Sequence, residues 1–265
     1  MRFDVLTIFP GMFECFWGHG IVRRALAQNI ISVATSDIRQ YTRDKHRTTD
    51  DRPYGGGCGM VMKPEPLAQA IRDAKKGAPR SRTILLTPQG RVLSQPLARE
   101  LAQCEALILV CGRYEGIDER IYQNFIDDEL SIGDYVLSGG EVAAMVVIDA
   151  VTRLIPGALG SEDSADQDSF TADLLDFAHY TRPPSFEGED VPDVLLSGNH
   201  SEIARWRLES ALIRTLLKRP DLLEQRNFED EELGILKKWL HKIETVIRAQ
   251  PLPRSAPLSG DQSKR

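Results

Sequence analysis

Paired cysteines are missing from this chain. Cys15, Cys58, Cys104 and Cys111 show no CxxC spacing, and three of them lie in or beside apolar segments. That usage argues against a disulfide framework and against a zinc ribbon. It fits free thiols in a reducing compartment, so the expected location is cytoplasmic. No apolar run approaches the ~20 residues of a membrane span, so no membrane partner is expected. The amino-terminal stretch MRFDVLTIFPGMF lacks the layout of a secretion signal and reads as a buried strand. Net positive charge is also missing. With 33 Lys and Arg against 39 Asp and Glu the balance is −6, so any nucleic-acid binding has to come from local basic patches. Two glycine signatures are absent as well. PYGGGCG (Pro53–Gly59) is not followed by Gly-Lys-Ser/Thr, and no strand–GxGxxG–helix pattern occurs, which excludes a Walker loop and a nicotinamide dehydrogenase. The His, Cys and Asp spacing offers no metal site.

What remains is a chain of 265 residues, 42% hydrophobic and 27% charged, long enough for a large core and for more than one domain. It is organised around Ser131–Glu141, SIGDYVLSGGE: a short apolar strand (Tyr135–Leu137) running into Ser138-Gly139-Gly140, and then a helix. The glycine pair lets backbone approach closely, and a helix start offers unpaired N–H groups. ILLTPQG (Ile84–Gly90) and LILVCGRYEG (Leu107–Gly116) repeat the design, each a strand ending in a glycine loop. Strands are expected at Arg2–Phe9, Ile30–Ser36, Thr83–Thr87 and Ala106–Cys111. Helices are expected within Met12–Asn29 and at Pro64–Lys75, Leu93–Cys104, Ile117–Phe125 and Glu141 to about Leu154. Such alternation indicates a parallel sheet covered by helices, and ligands bind at the carboxyl ends of its strands, where all three glycine loops fall.

The stretch RQYTRDKHRTTDDR (Arg39–Arg52) is too polar for a core. It reads either as a solvated loop or as a flexible basic arm for phosphates. PGALGSEDSADQDSF (Pro156–Phe170) is acidic and small, like an interdomain linker. Beyond it come the proline-rich HYTRPPSFEG, a helix from about Ser201 to Lys218 with Ile203, Trp206, Ile213 and Leu217 near one face, and another from Glu229 to about Arg248. The expected division is therefore 1–160, a linker at 161–178, a small all-helical domain at 179–250 and a disordered tail at 251–265.

The motifs DDRPYGGG, LTPQGR, LVCGRYEGIDER, SIGDYVLSGGE, DSF, HYTRP and VLLSGNH follow one another in that order. Together they resemble the bacterial tRNA (guanine-N1)-methyltransferase family, TrmD, over about Arg2 to Leu240. The resemblance implies a SPOUT-type α/β fold with a deep trefoil knot, which periodicity could not have suggested. It also implies an obligate homodimer with active sites at the subunit interface. It implies methyl transfer from S-adenosylmethionine to N1 of the guanosine at position 37 of tRNA, just 3′ of the anticodon. A dependence on Mg²⁺ belongs to the family as well and has no visible counterpart in this sequence.

By the same resemblance the cofactor would sit among Pro88, Gln89 and Gly90, then Gly112, then Ile132, Gly133, Asp134, Tyr135, Val136 and Leu137, with Gly139 and Gly140 beside them. Guanine N1 carries a proton at neutral pH. The reaction therefore needs a base near N1 and positive charge near O6. Asp168 of the DSF motif matches the family's catalytic aspartate and is assigned as the base, although an aspartate there could equally cap the following turn. Gln167 departs from the acidic residue expected beside it. Arg153 is assigned to O6; at a helix end it could also pair with Asp149 or serve the helix dipole. Glu115 is assigned to the guanine edge, with an ion pair to Arg113 as the plainer reading, and Asp50 is a further substrate candidate. Arg39, Arg43, Lys45, Arg47, Arg205 and Arg207 are candidate phosphate contacts. Two other readings stay open: a SPOUT-like enzyme acting on a ribose 2′-hydroxyl or on ribosomal RNA, and a tRNA-binding module without catalysis.

Overall fold

The computed structural model describes residues 1–160, 168–224 and 226–249. Residues 161–167 of the acidic linker and the whole of the expected tail lie outside them. The chain divides into two compact units, Met1–Asp166 and Gln167–Arg265.

The first unit is built on five parallel strands: β1 (Arg2–Thr7), β2 (Ser32–Asp37), β5 (Ser81–Val92), β6 (Ala106–Cys111) and β7 (Asp128–Ser131), in the order β2-β1-β6-β5-β7. Two-residue strands β3 (Asp50–Asp51) and β4 (Val61–Met62) pair separately. Central β6, ALILVC, is buried at every position, as expected of a strand covered on both faces. Its alternation sends Leu107, Leu109 and Cys111 into one core and Ile108 and Val110 into the other. The first core is closed by α2 (Gly20–Ala27), α4 (Gln95–Ala102) and α6 (Glu141–Thr152). The second is closed by α3 (Pro64–Gly77), α5 (Glu119–Phe125) and the 3-10 turn Ile38–Tyr41. The result is a parallel sheet between two helical layers. The amino-terminal helical segment consists of a 3-10 turn at Pro10–Phe13, a single turn α1 (Glu14–Trp17) and α2, with the interruption at Gly18-His19 that the glycines of the sequence call for.

Two local expectations are corrected. The strand before the helix is Asp128–Ser131, not Tyr135–Leu137, which lie in an irregular loop with Val136 88% exposed. Strand β7 is an edge strand, and it tolerates its leading charges because Asp128 meets Arg82 at 2.9 Å and Arg91 at 2.6 Å, both on neighbouring β5. The second correction concerns Pro88-Gln89-Gly90. They do not end their strand. Strand β5 pairs with Leu130 through Leu86, bulges out over Thr87–Gly90, and returns to Leu130 at Arg91. The return depends on Gly90, since a Cβ there would stand 2.3 Å from the Leu130 amide nitrogen and 2.4 Å from the Glu129 carbonyl carbon. Gly90→Ala should therefore displace backbone rather than a flexible side chain. The expected cost is about 1–3 kcal/mol in urea unfolding, and an unchanged unfolding midpoint would contradict this packing.

The second unit is helical, with one correction: a two-residue hairpin pairs β8 (Ser185–Phe186) with β9 (Glu189–Asp190). Helices α7 (Asp193–Leu196), α8 (His200–Lys218) and α9 (Asp230–Ala249) follow. The Asn199 side chain caps α8 by accepting from the Glu202 amide. The buried face of α8 is Ala211, Leu212 and Thr215, not the expected stripe through Leu217, which is 76% exposed. Leu174, Leu223 and Ile235 complete this core. Among the described residues no helix is long and apolar enough to cross a membrane.

Candidate active site

The bulge within β5 and the loops that follow β6 and β7 surround a cleft of about 300 Å³. The structure brings Pro88, Gln89, Gly112, Glu115, Ile132, Gly133, Tyr135, Val136, Leu137, Gly139 and Gly140 to its lining. Asp134 is exposed and Gly90 faces the β7 backbone, and neither lines the cleft.

Close backbone approach builds the walls. The Gly140 amide donates to the Gly112 carbonyl at 2.9 Å, and a Cβ on Gly140 would come within 2.8 Å of the Cys111 Cα. Gly139 forms a bridge with Arg113. Opposite, the loop after β7 is folded by Ser131, whose hydroxyl accepts from the Gly133 amide at 3.2 Å, while the Tyr135 hydroxyl donates to the Ile132 carbonyl at 3.1 Å. Gly133 takes a φ of +143°, open to glycine and costly for other residues. The slot therefore offers apolar side chains and backbone polar groups, the lining that suits a flat heterocycle with polar edges.

The third loop is anchored by charges that the sequence did not reveal. Arg113 pairs with Glu141, not with Glu115. Its Nε and terminal nitrogen reach one Glu141 carboxylate oxygen at 3.0 and 2.9 Å. The other oxygen accepts from the Thr7 hydroxyl at 2.6 Å. Glu141 is fully buried at the first turn of α6, where the helix amino terminus favours a carboxylate. The Arg113 guanidinium also stacks on the Phe9 ring, 4.5 Å from its centroid. Burial, and secondly the Glu141 charge, push the adjacent Cys111 thiol up, so it stays protonated and inert. Glycine before glutamate at a helix start hints at a helix terminus, but nothing in the local sequence points to a partner more than a hundred residues away.

Glu115 itself stands exposed on the cleft rim. Its amide donates to the Met60 carbonyl at 3.0 Å, and its carboxylate lies against Gly59, where a Cβ would sit 2.2 Å from Oε1. The glycine-rich segment is thus shaped around this carboxylate. Asp50, opposite Met62 in the short ladder, does not line the cleft; neither does Arg153, the residue that closes the carboxyl end of α6.

Asp168, Arg205 and Arg207 belong to the second unit. Asp168 opens a turn in which its carbonyl accepts from the Thr171 amide at 3.2 Å. The chain just beyond is pinned to α8, with the Leu175 amide donating to the Thr215 hydroxyl at 2.8 Å and the Ala178 amide to the Ser210 hydroxyl at 3.0 Å. Residues 168–178, read from sequence as linker, thus pack within this unit. Arg205 and Arg207 are exposed on α8, Arg207 over the Phe177 ring. No group of three or more His, Cys, Asp or Glu among the described residues could hold a metal ion.

Fold and cleft together define an α/β protein with an open cleft lined by glycine loops beside a parallel sheet, followed by a helical unit carrying exposed arginines. The family model described as tRNA (Guanine-1)-methyltransferase TrmD matches residues 1–225. A tRNA (guanine-N(1)-)-methyltransferase of Desulfatibacillum aliphaticivorans is 56% identical over 252 residues, covering 95% of this chain and 96% of the relative. Relatives of the same description from Syntrophotalea carbinolica and Pseudomonas fluorescens are each 54% identical, covering 90% and 91% of this chain and 96% of each relative. The chain belongs to the tRNA (guanine-N1)-methyltransferase family TrmD.

Proposed function

We propose that this protein transfers a methyl group from S-adenosylmethionine to N1 of guanosine 37 in tRNA, in the cytoplasm, as a homodimer. The observation that carries this reading, beside family membership, is the backbone-lined cleft with Glu115 on its rim. When bound, S-adenosylmethionine supplies a methyl carbon activated by a sulfonium. The cleft of about 300 Å³ fits its adenine and ribose among Gln89, Gly112, Ile132, Gly133, Tyr135–Leu137, Gly139 and Gly140. The Glu115 carboxylate accepts hydrogen bonds from guanine N–H groups, which adenine lacks at the matching positions. Asp168 removes the N1 proton. Arg153 neutralises the charge gathering at O6, so that the N1 lone pair can attack the methyl carbon as the carbon–sulfur bond breaks. Arg205 and Arg207 hold tRNA phosphates, with Asp50 as a further substrate contact.

The knot, a first domain ending near 160, and the assignment of Asp168 and cofactor to different subunits of the dimer are part of the same reading. In it, the Gly140–Gly112 contact is where the knotted chain passes close to itself. A dependence on Mg²⁺ is part of the same reading, and no residue is assigned to the ion.

Calorimetric titration with S-adenosylmethionine tests the cofactor assignment. Saturable binding at one site per chain is expected. No detectable heat, together with retained tRNA binding, would leave only a binding module.

A further inference from the structure

A second concavity of about 730 Å³ lies on the other helical layer of the first unit, between the 3-10 turn Ile38–Tyr41, α3 and α5. Its lining includes Arg43, Lys63, Arg72 and Arg120 beside Tyr41 and Phe125. These cations are not equivalent. Arg120 is held by Asp118 at 2.7 Å, and Arg72 lies over the Phe125 ring, 4.9 Å from its centroid. Arg43 and Lys63, and Lys45 and Arg47 on the loop above, make no ion pair with any described residue. Arg39, read from sequence as one of the same basic set, is different: it is drawn inward, donating to the Ile8 carbonyl and stacking on Phe9.

The loop is shaped to leave those charges open. Asp44 is the one acidic residue within 43–47, and it turns its carboxylate onto the loop itself. It accepts from the His46 amide at 3.2 Å, from the Thr48 amide at 3.1 Å and from the Thr48 hydroxyl at 2.8 Å. Those bonds hold it below the usual carboxylate range, the Thr48 hydroxyl first. An aspartate so occupied orders the turn and makes no ion pair with Arg43, Lys45 or Arg47, so their charged ends stay open to a ligand.

The chain itself links this basic face to the rim of the cleft. From the loop the chain passes through β3 into the glycine-rich segment. There Gly55, Gly56 and Gly57 have positive φ, with open space where a Cβ would point. The segment ends at Gly59 against the Glu115 carboxylate. A strand whose base lies at Glu115 can run along this side-chain-free backbone to reach the loop.

We propose that the Arg43–Arg47 loop and the groove floor at Lys63 form an RNA-backbone site, binding phosphodiesters of the strand that adjoins the methylated nucleotide. The inference rests on the proposed tRNA methylation and adds the surface that holds the strand outside the cleft. RNA is favoured over a free nucleotide because the cations are spread along an open groove, not converging on one point.

The test compares the full-length protein with the triple variant Arg43→Ala/Lys45→Ala/Arg47→Ala and with Lys63→Gln. KM for tRNA and direct tRNA affinity are measured from low to moderate salt. The triple variant should weaken tRNA binding by at least about tenfold. The slope of log K against log salt should fall by about two units, from ~0.7–0.9 per lost phosphate contact. S-adenosylmethionine affinity should be retained, which also reports that the fold is intact. Lys63→Gln should shift tRNA affinity in the same direction by less. Unchanged tRNA affinity and slope in the triple variant would overturn the site, as would a loss confined to kcat. Failure of the unaltered protein to methylate guanine would instead overturn the proposed function, and the binding slopes would still decide the groove.

Discussion

Replacing Asp168 by asparagine is expected to lower methyl transfer about 10²–10⁴-fold, the range a general base contributes, with S-adenosylmethionine affinity unchanged. The argument begins with the substrate. A protonated guanine N1 has no lone pair to give, and a sulfonium methyl donor does nothing to remove that proton. Asparagine keeps the size and polarity of aspartate but cannot accept a proton at neutral pH. The effect should appear in kcat. Asp168 belongs to the second unit, whereas the proposed cofactor cleft lies wholly in the first, so binding and chemistry separate by residue. The turn that carries Asp168 is held in part by main-chain bonds and by the anchorage of residues 175 and 178 to α8. An unchanged urea-unfolding midpoint reports that the variant is folded. Single-turnover methylation with saturating tRNA gives the rate, and calorimetry gives the affinity. Near-normal turnover would remove Asp168 as the base.

The second large effect concerns stability. Glu141→Ala should destabilise the protein by about 3–5 kcal/mol in urea unfolding, the cost of removing one partner from a buried ion pair. Glu141 is fully buried, and its pair with Arg113 is closed by Thr7 and by the Phe9 ring. Truncation leaves a largely enclosed guanidinium and a buried hydroxyl without their acceptor. Because Arg113 carries the loop between Gly112 and Glu115, cofactor affinity should fall as well. A double-mutant cycle with Arg113→Ala separates the pair from the individual side chains. The double variant should lose less than the sum of the two single variants, because it leaves no unpaired charge. Additive losses would show that the two groups are not coupled and that each acts through packing alone.

Residue pattern was enough to place β1 and β6 and the bodies of α3 and α4, because burial follows local periodicity there; it located α8 but not its buried face. It misplaced the strand before α6. Tyr135, Val136 and Leu137 look like a buried strand, but they are half to almost fully exposed beside an open cleft, while true β7 begins with two acidic residues. Apolar residues set aside for a ligand imitate core, and charges neutralised across an edge strand imitate loop. Eleven of the residues assigned through a set of motifs in fixed order do line the cleft. The Glu141–Arg113–Thr7 contact could not be assigned in this way, since it joins residues from separate elements and no local signal marks it. The turn that holds Asp168 was equally hidden, because Leu174 and Thr215 meet only once α8 has formed.

The most direct measurement is the identity of the product. Unmodified tRNA carrying guanosine at positions 36 and 37 is incubated with the purified protein and methyl-labelled S-adenosylmethionine, then digested to nucleosides and mapped. The expected result is label in 1-methylguanosine at position 37 alone. Label found only in a 2′-O-methylated nucleoside, or at another position, would contradict the assignment of this cleft to guanine N1.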